Sequence, residues 1–257
     1  GKELGYESDL DLIFLYDDED PAAAEEYMLF ARRLMTWLSA HTSSGKLFEI
    51  DLRLRPDGNT GLLVSPFDAF ARYQRNEDGL GAWPWEHQAL TRARYSAGDS
   101  EIGERFEAER TLILMQRRDK QKLCTDVLQM RARMLDGHPN PTGLFDVKHD
   151  RGGMVDVEFI VQFLVLAHAH EHAELVRNVG NIALLHMAGQ LQLIDTSLAR
   201  EVADAYRTFR SIQHRLRLNA ADRARVAPQE VEREAAAVMR LWNSVFTPLP
   251  EATVSAP

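Results

Sequence analysis

Asp9 and Asp11 are the residues of this sequence whose types and spacing point most directly to chemistry. They stand two residues apart, at the start of an apolar run that continues from Leu12 to Leu15. In a β-strand alternate side chains share a face, so both carboxylates are predicted to point the same way. Neighbouring carboxylates repel unless a positive charge lies between them, and oxygen-only ligands suit Mg²⁺ best. The pattern therefore predicts a divalent metal site.

A second strand is predicted from Lys46 to Arg55, where apolar and polar residues alternate strictly. If this strand pairs with the first, its Asp51 joins Asp9 and Asp11. Three carboxylates around one or two Mg²⁺ ions can activate a hydroxyl and hold a nucleotide triphosphate. The polar face of the second strand consists of Glu49, Asp51, Arg53 and Arg55.

A helix is predicted between these two strands, beginning at Asp20-Pro21 and running to about Thr42. The order strand, helix, strand implies a right-handed crossover if the strands are parallel. A further short strand is predicted at 93–99, and from Ser100, interpreted as an N-cap, the remaining signals are mainly helical. The apolar stripe of the first helix is predicted to contain Tyr27, Phe30, Leu34, Trp37 and Leu38.

A central buried helix is predicted after Gly152-Gly153, because residues 154–167 are apolar nearly all round. Asp156 and Glu158 interrupt it and lie about 200° apart, so they cannot act as one pair. Buried carboxylates need partners, for which Lys148 and Arg151 are candidates. We interpret the two carboxylates as anchors to the catalytic part of the chain, with nucleotide contact by Lys148 as a separate hypothesis.

The composition limits the classes of partner and compartment. The 257 residues contain 30 Lys and Arg against 39 Asp and Glu, a net charge of −9, which disfavours a broad nucleic-acid surface. Cys124 is the single cysteine, so internal disulfides and cysteine zinc sites are excluded. A cytoplasmic location is predicted, which is compatible with the single cysteine but does not follow from it. No membrane span or signal peptide is predicted. Because Gly1 is so close to the first strand, we interpret the sequence as a fragment of a longer protein.

Ser8-Asp-Leu-Asp11 with a later Asp on a neighbouring strand resembles the nucleotidyltransferase superfamily that includes DNA polymerase β. Three further motifs resemble one family within it, the bifunctional glutamine synthetase adenylyltransferase/adenylyl-removing enzymes. The resemblance spans nearly the whole chain. Trp85–Leu90 and Phe145–Lys148 are more similar to the carboxy-terminal, adenylylating half than to the amino-terminal, de-adenylylating half. The motifs are Glu49-Ile-Asp-Leu-Arg-Leu-Arg-Pro56, Trp85-Glu-His-Gln-Ala-Leu90 with Arg92 and Arg94, and Phe145-Asp-Val-Lys-His-Asp-Arg-Gly-Gly-Met-Val-Asp-Val-Glu-Phe159.

The resemblance implies an α+β fold: a polymerase β-like nucleotidyltransferase domain at 1–115, followed by an all-α helical bundle at 116–257. It implies transfer of AMP from ATP to a tyrosine hydroxyl of glutamine synthetase, with the nitrogen-signalling protein PII as a regulator. A glycine-containing turn before the first strand would bind the triphosphate, with part of it upstream of Gly1.

The resemblance also implies roles for individual residues. Asp9 and Asp11 would hold two Mg²⁺ ions, and Asp51 would join the metal that activates the tyrosine and accept its proton. Ser8, Arg53 and Lys148 are the candidate ATP-binding residues.

Other functions stay open at this point. The de-adenylylating half, a uridylyltransferase acting on a signalling protein and an RNA-tailing enzyme would use the same carboxylates. A sugar-nucleotide transferase also uses Asp-x-Asp, but the Asp51 strand and the helical carboxy-terminal part argue against it. A non-catalytic module that binds glutamine synthetase or a signalling protein is the alternative from another class.

Overall fold

The computed structural model describes residues 3–5, 8–20, 22–43, 45–46, 48–56, 61–77 and 81–247. The chain divides into two compact units, Gly1–Val127 with Val165–Gly180, and Leu128–Leu164 with Asn181–Pro257. The units do not follow the order of the chain, because two helices each contribute to both. The domain boundary at residue 115 stays a prediction.

The part of the first unit that runs to Leu114 contains short strands and longer helices. Its described elements are β1 Asp9–Asp11, β2 Phe14–Tyr16, α1 Ala23–Ser39, β3 His41–Thr42, β4 Gly45–Lys46, β5 Glu49–Asp51, β6 Val64–Pro66, α2 Phe67–Arg75, α3 Pro84–Leu90, and α4 Ser100–Leu114. β1 pairs with β5 and β2 with β6, both parallel, while β3 and β4 form an antiparallel pair. The predicted pairing of the two carboxylate-bearing strands across a helix is confirmed.

Helices dominate the rest of the described chain. The elements are α5 Lys120–Asp136, β7 Phe145–Asp146, α6 Met154–His168, a 3₁₀ turn Ala173–Val176, α7 Asn181–Gln190, α8 Thr196–Leu218, β8 Arg225–Val226, a 3₁₀ turn Pro228–Glu230, and α9 Glu232–Phe246. α5 and α6 are the helices shared by the two units. Strand pairs this small beside this much helix make the architecture α+β, as predicted at that level. No helix in the described residues has the length and apolar character needed to cross a membrane.

The apolar stripe predicted for α1 is wrong at two positions. Phe30 and Trp37 are 56% and 65% exposed, whereas Ala31 is buried. α1 contacts β5 and β6, and its buried residue Ala31 is small enough to allow a close approach on that side. Tyr27 and Leu34 lie nearer to that side and are half-buried.

Three further local predictions need correction. The predicted strand from Lys46 to Arg55 is interrupted and its last part ends at Asp51, because a turn follows in which the backbone N–H of Arg55 donates to Leu52. No strand forms at 93–99. The N-cap of α4 is Asp99 rather than Ser100, since the Asp99 carboxylate accepts from the second and third N–H groups of the helix.

The prediction of a buried central helix is confirmed by α6, whose residues Val157, Ile160 and Leu166 are fully buried. Asp156 accepts hydrogen bonds from Arg131 Nε (2.6 Å), Arg151 Nη1 (3.3 Å) and the Gly152 N–H (2.7 Å). Of the two predicted partners, Arg151 is therefore confirmed, Lys148 is not among the contacts, and Arg131 was missed.

The interpretation of the α6 carboxylates as anchors to the catalytic part of the chain is wrong for these contacts. Asp156, Arg131 and Arg151 all belong to the second unit. Glu158 accepts from the Tyr206 hydroxyl (3.0 Å), and Tyr206 belongs to the same unit. Both carboxylates therefore stabilise the second unit internally.

Candidate active site

The β1–β5 pair places four carboxylate-bearing residues side by side. In the parallel register Asp9 lies opposite Glu49, and Asp11 lies opposite Asp51. Residues paired across strands point to the same face, and alternate residues along a strand share that face. The pair therefore carries a two-by-two arrangement of acidic positions. Glu49 was on the predicted polar face of its strand, but its position opposite Asp9 emerges only from the register.

Asp11, at the end of β1, is affected by the neighbouring carboxylates Asp9 and Asp51. Desolvation, followed by the charges of Asp51 and Asp9, raises the pKa of Asp11. Asp11 still has an exposed surface, so the repulsion between neighbouring carboxylates is the part that distinguishes it from an ordinary surface aspartate. A cation placed here would relieve that repulsion.

Asp51 is held by the arginine two residues along. Its Oδ1 accepts from the Arg53 backbone N–H (2.8 Å), and its Oδ2 accepts from Arg53 Nε (2.7 Å) and Nη2. These bonds lower the pKa of Asp51, and the ion pair raises the pKa of Arg53. The Arg53 side chain is 71% exposed, so this partner can leave the carboxylate without opening the fold.

The three predicted metal ligands are neighbours through their backbones, but their side chains do not form a preassembled ligand set. In the described part of the chain, no three His, Cys, Asp or Glu side chains are arranged to hold a metal ion. Asp51 is one carboxylate missing from such a ligand set, because it is paired with Arg53. Metal ligation by Asp9, Asp11 and Asp51 stays a prediction.

An open groove of about 520 Å³ runs along this face. Arg55 contributes to it with a guanidinium that donates to the carbonyl oxygens of Leu52 (3.0 Å) and Gly61 (3.2 Å). The groove has a volume in the range of small-molecule sites. Its lining residues are Asp9, Glu49, Ile50, Asp51, Leu52, Arg53 and Arg55.

The other two predicted ATP-binding residues are not among the residues that line the groove. Ser8 Oγ accepts from the Gly5 N–H (2.9 Å), which leaves its own hydroxyl proton available for donation. Lys148 is exposed and belongs to the second unit, where its backbone N–H donates to Asp146 (3.1 Å). Contact of either residue with a nucleotide stays a prediction.

The Trp85–Leu90 motif lies in α3, and the contacts described for it stabilise the fold. Glu86, His87 and Gln88 are all buried. Glu86 accepts from the Tyr73 hydroxyl (2.9 Å), and His87 contacts the Gln74 carbonyl oxygen through Nε2 (3.0 Å). These contacts fix α3 against α2 within the first unit.

Comparison with known proteins gives matches over both parts of the chain. A family model described as "Glutamate-ammonia ligase adenylyltransferase" matches residues 1–109, and one described as "GlnD PII-uridylyltransferase" matches residues 129–245. A bifunctional glutamine synthetase adenylyltransferase/adenylyl-removing enzyme from Burkholderia mallei is 57% identical over 96% of this chain. Relatives of the same name from Bordetella bronchiseptica and Nitrosomonas europaea are 58% and 50% identical, again over 96% of the chain.

Over nearly its whole length the chain is similar to members of the adenylyltransferase/adenylyl-removing family. It covers 27%, 26% and 28% of the lengths of those three relatives, so it spans about a quarter of a full-length family protein. The resemblance inferred from the motifs is thus confirmed at the level of the family. The residues that bear the carboxylates, Asp9, Asp11 and Asp51, fall within the segment matched by the adenylyltransferase model.

Proposed function

We propose that this chain carries the nucleotidyltransferase site that moves AMP from ATP to a tyrosine hydroxyl of glutamine synthetase, as the adenylylating half of its family. The observation that carries the proposal is the parallel β1–β5 register, in which Asp11 lies opposite Asp51 and two residues from Asp9, with Asp9 and Asp51 lining an open groove. The polymerase β-like superfamily, the division into a catalytic and a helical domain, and PII as a regulator belong to the same proposal.

The donor set fits Mg²⁺. Carboxylate oxygens are the ligands this ion prefers. Burial, followed by the charges of Asp51 and Asp9, raises the pKa of Asp11, and a bound cation would offset that repulsion. Asp9 and Asp11 would hold two ions, and Asp51 would join one of them. When bound, the ions would stabilise the charge of the leaving pyrophosphate and lower the pKa of the attacking hydroxyl.

Arg53 connects phosphate binding to the availability of Asp51. A carboxylate with a lowered pKa is a weak proton acceptor, so Asp51 in its present pairing is poorly suited to take the proton of a tyrosine with a pKa of about 10. A triphosphate in the groove competes for the exposed guanidinium of Arg53. Transfer of Arg53 to a phosphate would release Asp51 when nucleotide is present, and Lys148 would add positive charge. Catalysis then rests mainly on position and electrostatics.

Uridylyl transfer to PII is a second candidate, favoured by the match of residues 129–245 to the uridylyltransferase model. Phosphorolytic removal of AMP from glutamine synthetase is a third, since the same carboxylates serve it with phosphate as the attacking group.

One transfer assay separates these candidates. The chain and a full-length family protein are each incubated with Mg²⁺, α-labelled ATP or UTP, and glutamine synthetase or PII. The variants are Asp9→Asn, Asp11→Asn and, as a matched control, Glu19→Gln at an exposed carboxylate on the loop after β2. AMP label on glutamine synthetase that disappears only with the two aspartate variants supports the proposal. UMP label on PII, or loss of AMP from adenylylated glutamine synthetase when phosphate is added, would replace it.

A further inference from the structure

An arginine far along the chain holds the segment that leads into β1. The Arg92 guanidinium donates to the carboxylate of Glu3 at 2.8 Å, across 89 positions of sequence. The pair is mostly shielded, with 27% of the Arg92 side chain and 14% of the Glu3 side chain exposed. Partly buried ion pairs of this kind are screened less by solvent than surface pairs. We call Glu3, Leu4, Gly5 and Ser8 the lead-in segment.

The backbone on both sides of Arg92 is anchored. Arg110 on α4 is buried and donates to the carbonyl oxygens of Leu90 (2.9 Å) and Thr91 (2.7 Å). On the other side, Asn178 Nδ2 donates to the carbonyl oxygen of Ala93 (2.7 Å). Arg92 lies between these anchored residues, so its side chain reaches the lead-in segment from a backbone that is held in place.

The lead-in segment runs into β1, so a restraint on the segment also acts on that strand. Two hydrogen bonds join Gly5 to Ser8, one from the Gly5 N–H to Ser8 Oγ and one from the Ser8 N–H to the Gly5 carbonyl oxygen (3.3 Å). Ser8 directly precedes Asp9, the first residue of β1. Glu3, at the other end of the lead-in segment, packs closely against Gly180. A Cβ at that glycine would lie 2.6 Å from Glu3 Oε1.

We propose that Arg92 is a positioning residue, which through Glu3 fixes the lead-in segment and thereby the place of nucleotide phosphates relative to Asp9 and Asp11. This inference rests on the proposed nucleotidyl transfer at the β1–β5 groove. Without the ion pair the lead-in segment samples more conformations, and ATP must restore the competent one when it binds. The apparent affinity for ATP falls by the fraction of molecules that remain competent.

A different role for Arg92 would be direct contact with a phosphate, with Glu3 as its partner only in the free protein. The two roles predict opposite behaviour of the glutamate. If Arg92 acts through Glu3, removal of either charge has the same effect and the double variant adds little. If Arg92 binds phosphate itself, neutralisation of Glu3 leaves ATP binding unchanged or strengthens it.

The test uses Arg92→Gln, Glu3→Gln, the double variant, and Arg94→Gln as a control at an exposed arginine two positions along. Steady-state transfer gives KM for ATP and kcat, and hydrogen exchange without nucleotide follows amides of the lead-in segment and β1. Each single variant is expected to raise KM about tenfold, with a smaller loss in kcat and faster exchange in residues 3–11. The double variant should match the worse single variant, Arg94→Gln should match the wild type, and Arg92→Lys should recover part of the affinity.

Several outcomes would overturn the positioning role. Unchanged exchange in residues 3–11 in both single variants would do so, as would a Glu3→Gln variant with wild-type KM beside an impaired Arg92→Gln. Circular dichroism confirms that the variants are folded. If the wild type transfers no nucleotide, the proposed function fails, while the exchange measurement still shows whether Arg92 orders the lead-in segment.

Discussion

Asp11 and Asp51 are direct neighbours across the parallel β1–β5 pair, and they differ in the direction of their pKa shifts. Desolvation and the charges of Asp51 and Asp9 raise the pKa of Asp11, whereas hydrogen bonds from Arg53 lower that of Asp51. Arg53 therefore pairs with Asp51, while at Asp11 burial and the neighbouring carboxylates outweigh the effect of the arginine. This difference between the two aspartates has several measurable consequences.

The raised pKa of Asp11 predicts that Asp11→Asn stabilises the metal-free protein at neutral pH. A folded-state pKa above the unfolded value means that the folded state binds the proton more tightly, so stability falls as pH rises from about 4 through the raised pKa. An asparagine side chain at this position does not titrate, so Asp11→Asn avoids this loss of stability. Thermal unfolding of both proteins with chelator at pH 7.5 should show a higher Tm for Asp11→Asn, and the difference should shrink towards pH 4. Addition of Mg²⁺ should stabilise the wild type more than the variant, and equal Mg²⁺ responses would contradict metal binding at Asp11.

The pairing of Asp51 with Arg53 predicts opposite effects of Arg53→Gln on metal binding and on transfer. Without nucleotide, the variant should bind Mg²⁺ a few-fold more tightly, because Asp51 is no longer shared with a guanidinium. With ATP, transfer should fall by at least tenfold, since the phosphates lose a charged partner. Calorimetric Mg²⁺ titration and the transfer assay measure the two effects. Fold stability should change by less than about 1 kcal/mol, as expected for an exposed ion pair.

The candidate site was predictable from sequence because its information is local. The spacing of Asp9 and Asp11 before the apolar run Leu12–Leu15, and the alternation within Glu49–Arg55, are sufficient to assign Asp9, Asp11 and Asp51 to the polar faces of their strands. The register that adds Glu49 opposite Asp9 depends on which strands pair, and periodicity does not specify that. The turn that ends β5 also contains a bond from the Arg53 backbone N–H to the Asp51 carboxylate, and such side-chain acceptors compete with the strand ladder.

Long-range partners left no sequence signal. Arg92 and Glu3 are 89 positions apart, and Arg131 and Asp156 are 25 apart on different helices. Both pairs depend on how whole elements pack. The exposed Phe30 and Trp37 show the converse limit: periodicity locates an apolar stripe on α1, while close packing around Ala31 decides which side of it is buried.

The ion pair between Arg131 and Asp156 predicts a large loss of stability when one partner is removed. Both side chains are almost fully buried, so Asp156→Ala leaves a guanidinium without its counter-charge, at a cost of about 3–5 kcal/mol. Hydrogen exchange of α8 amides under increasing urea measures the free energy of unfolding of the second unit. Asp204→Ala, which breaks the exposed pair with Arg207 in the same unit, is the control and should cost less than about 1 kcal/mol. Replacement of both buried partners, Arg131→Met with Asp156→Leu, should recover part of the loss. Equal effects of the buried and exposed changes would contradict this account.

His87 predicts how the first unit responds to mild acid. Its Nε2 faces the Gln74 carbonyl oxygen and its Nδ1 lies 3.3 Å from Arg118 Nη2, an arrangement that suits a neutral ring with the proton on Nε2. Burial and the Arg118 charge lower the pKa of His87 from 6.5 to about 4.

The unfolded chain therefore takes up a proton at pH values where the folded chain does not. Stability is fully present above about pH 6.5 and falls as pH drops towards 4, by an amount on the order of 3 kcal/mol. His87→Gln, which keeps hydrogen-bonding capacity without the titration, should lose most of this dependence, and His41→Gln at an exposed histidine of the same unit should keep it. Urea midpoints from hydrogen exchange of α3 between pH 7 and 4.5 supply the comparison, and parallel pH profiles for wild type and His87→Gln would show that the acid response originates elsewhere.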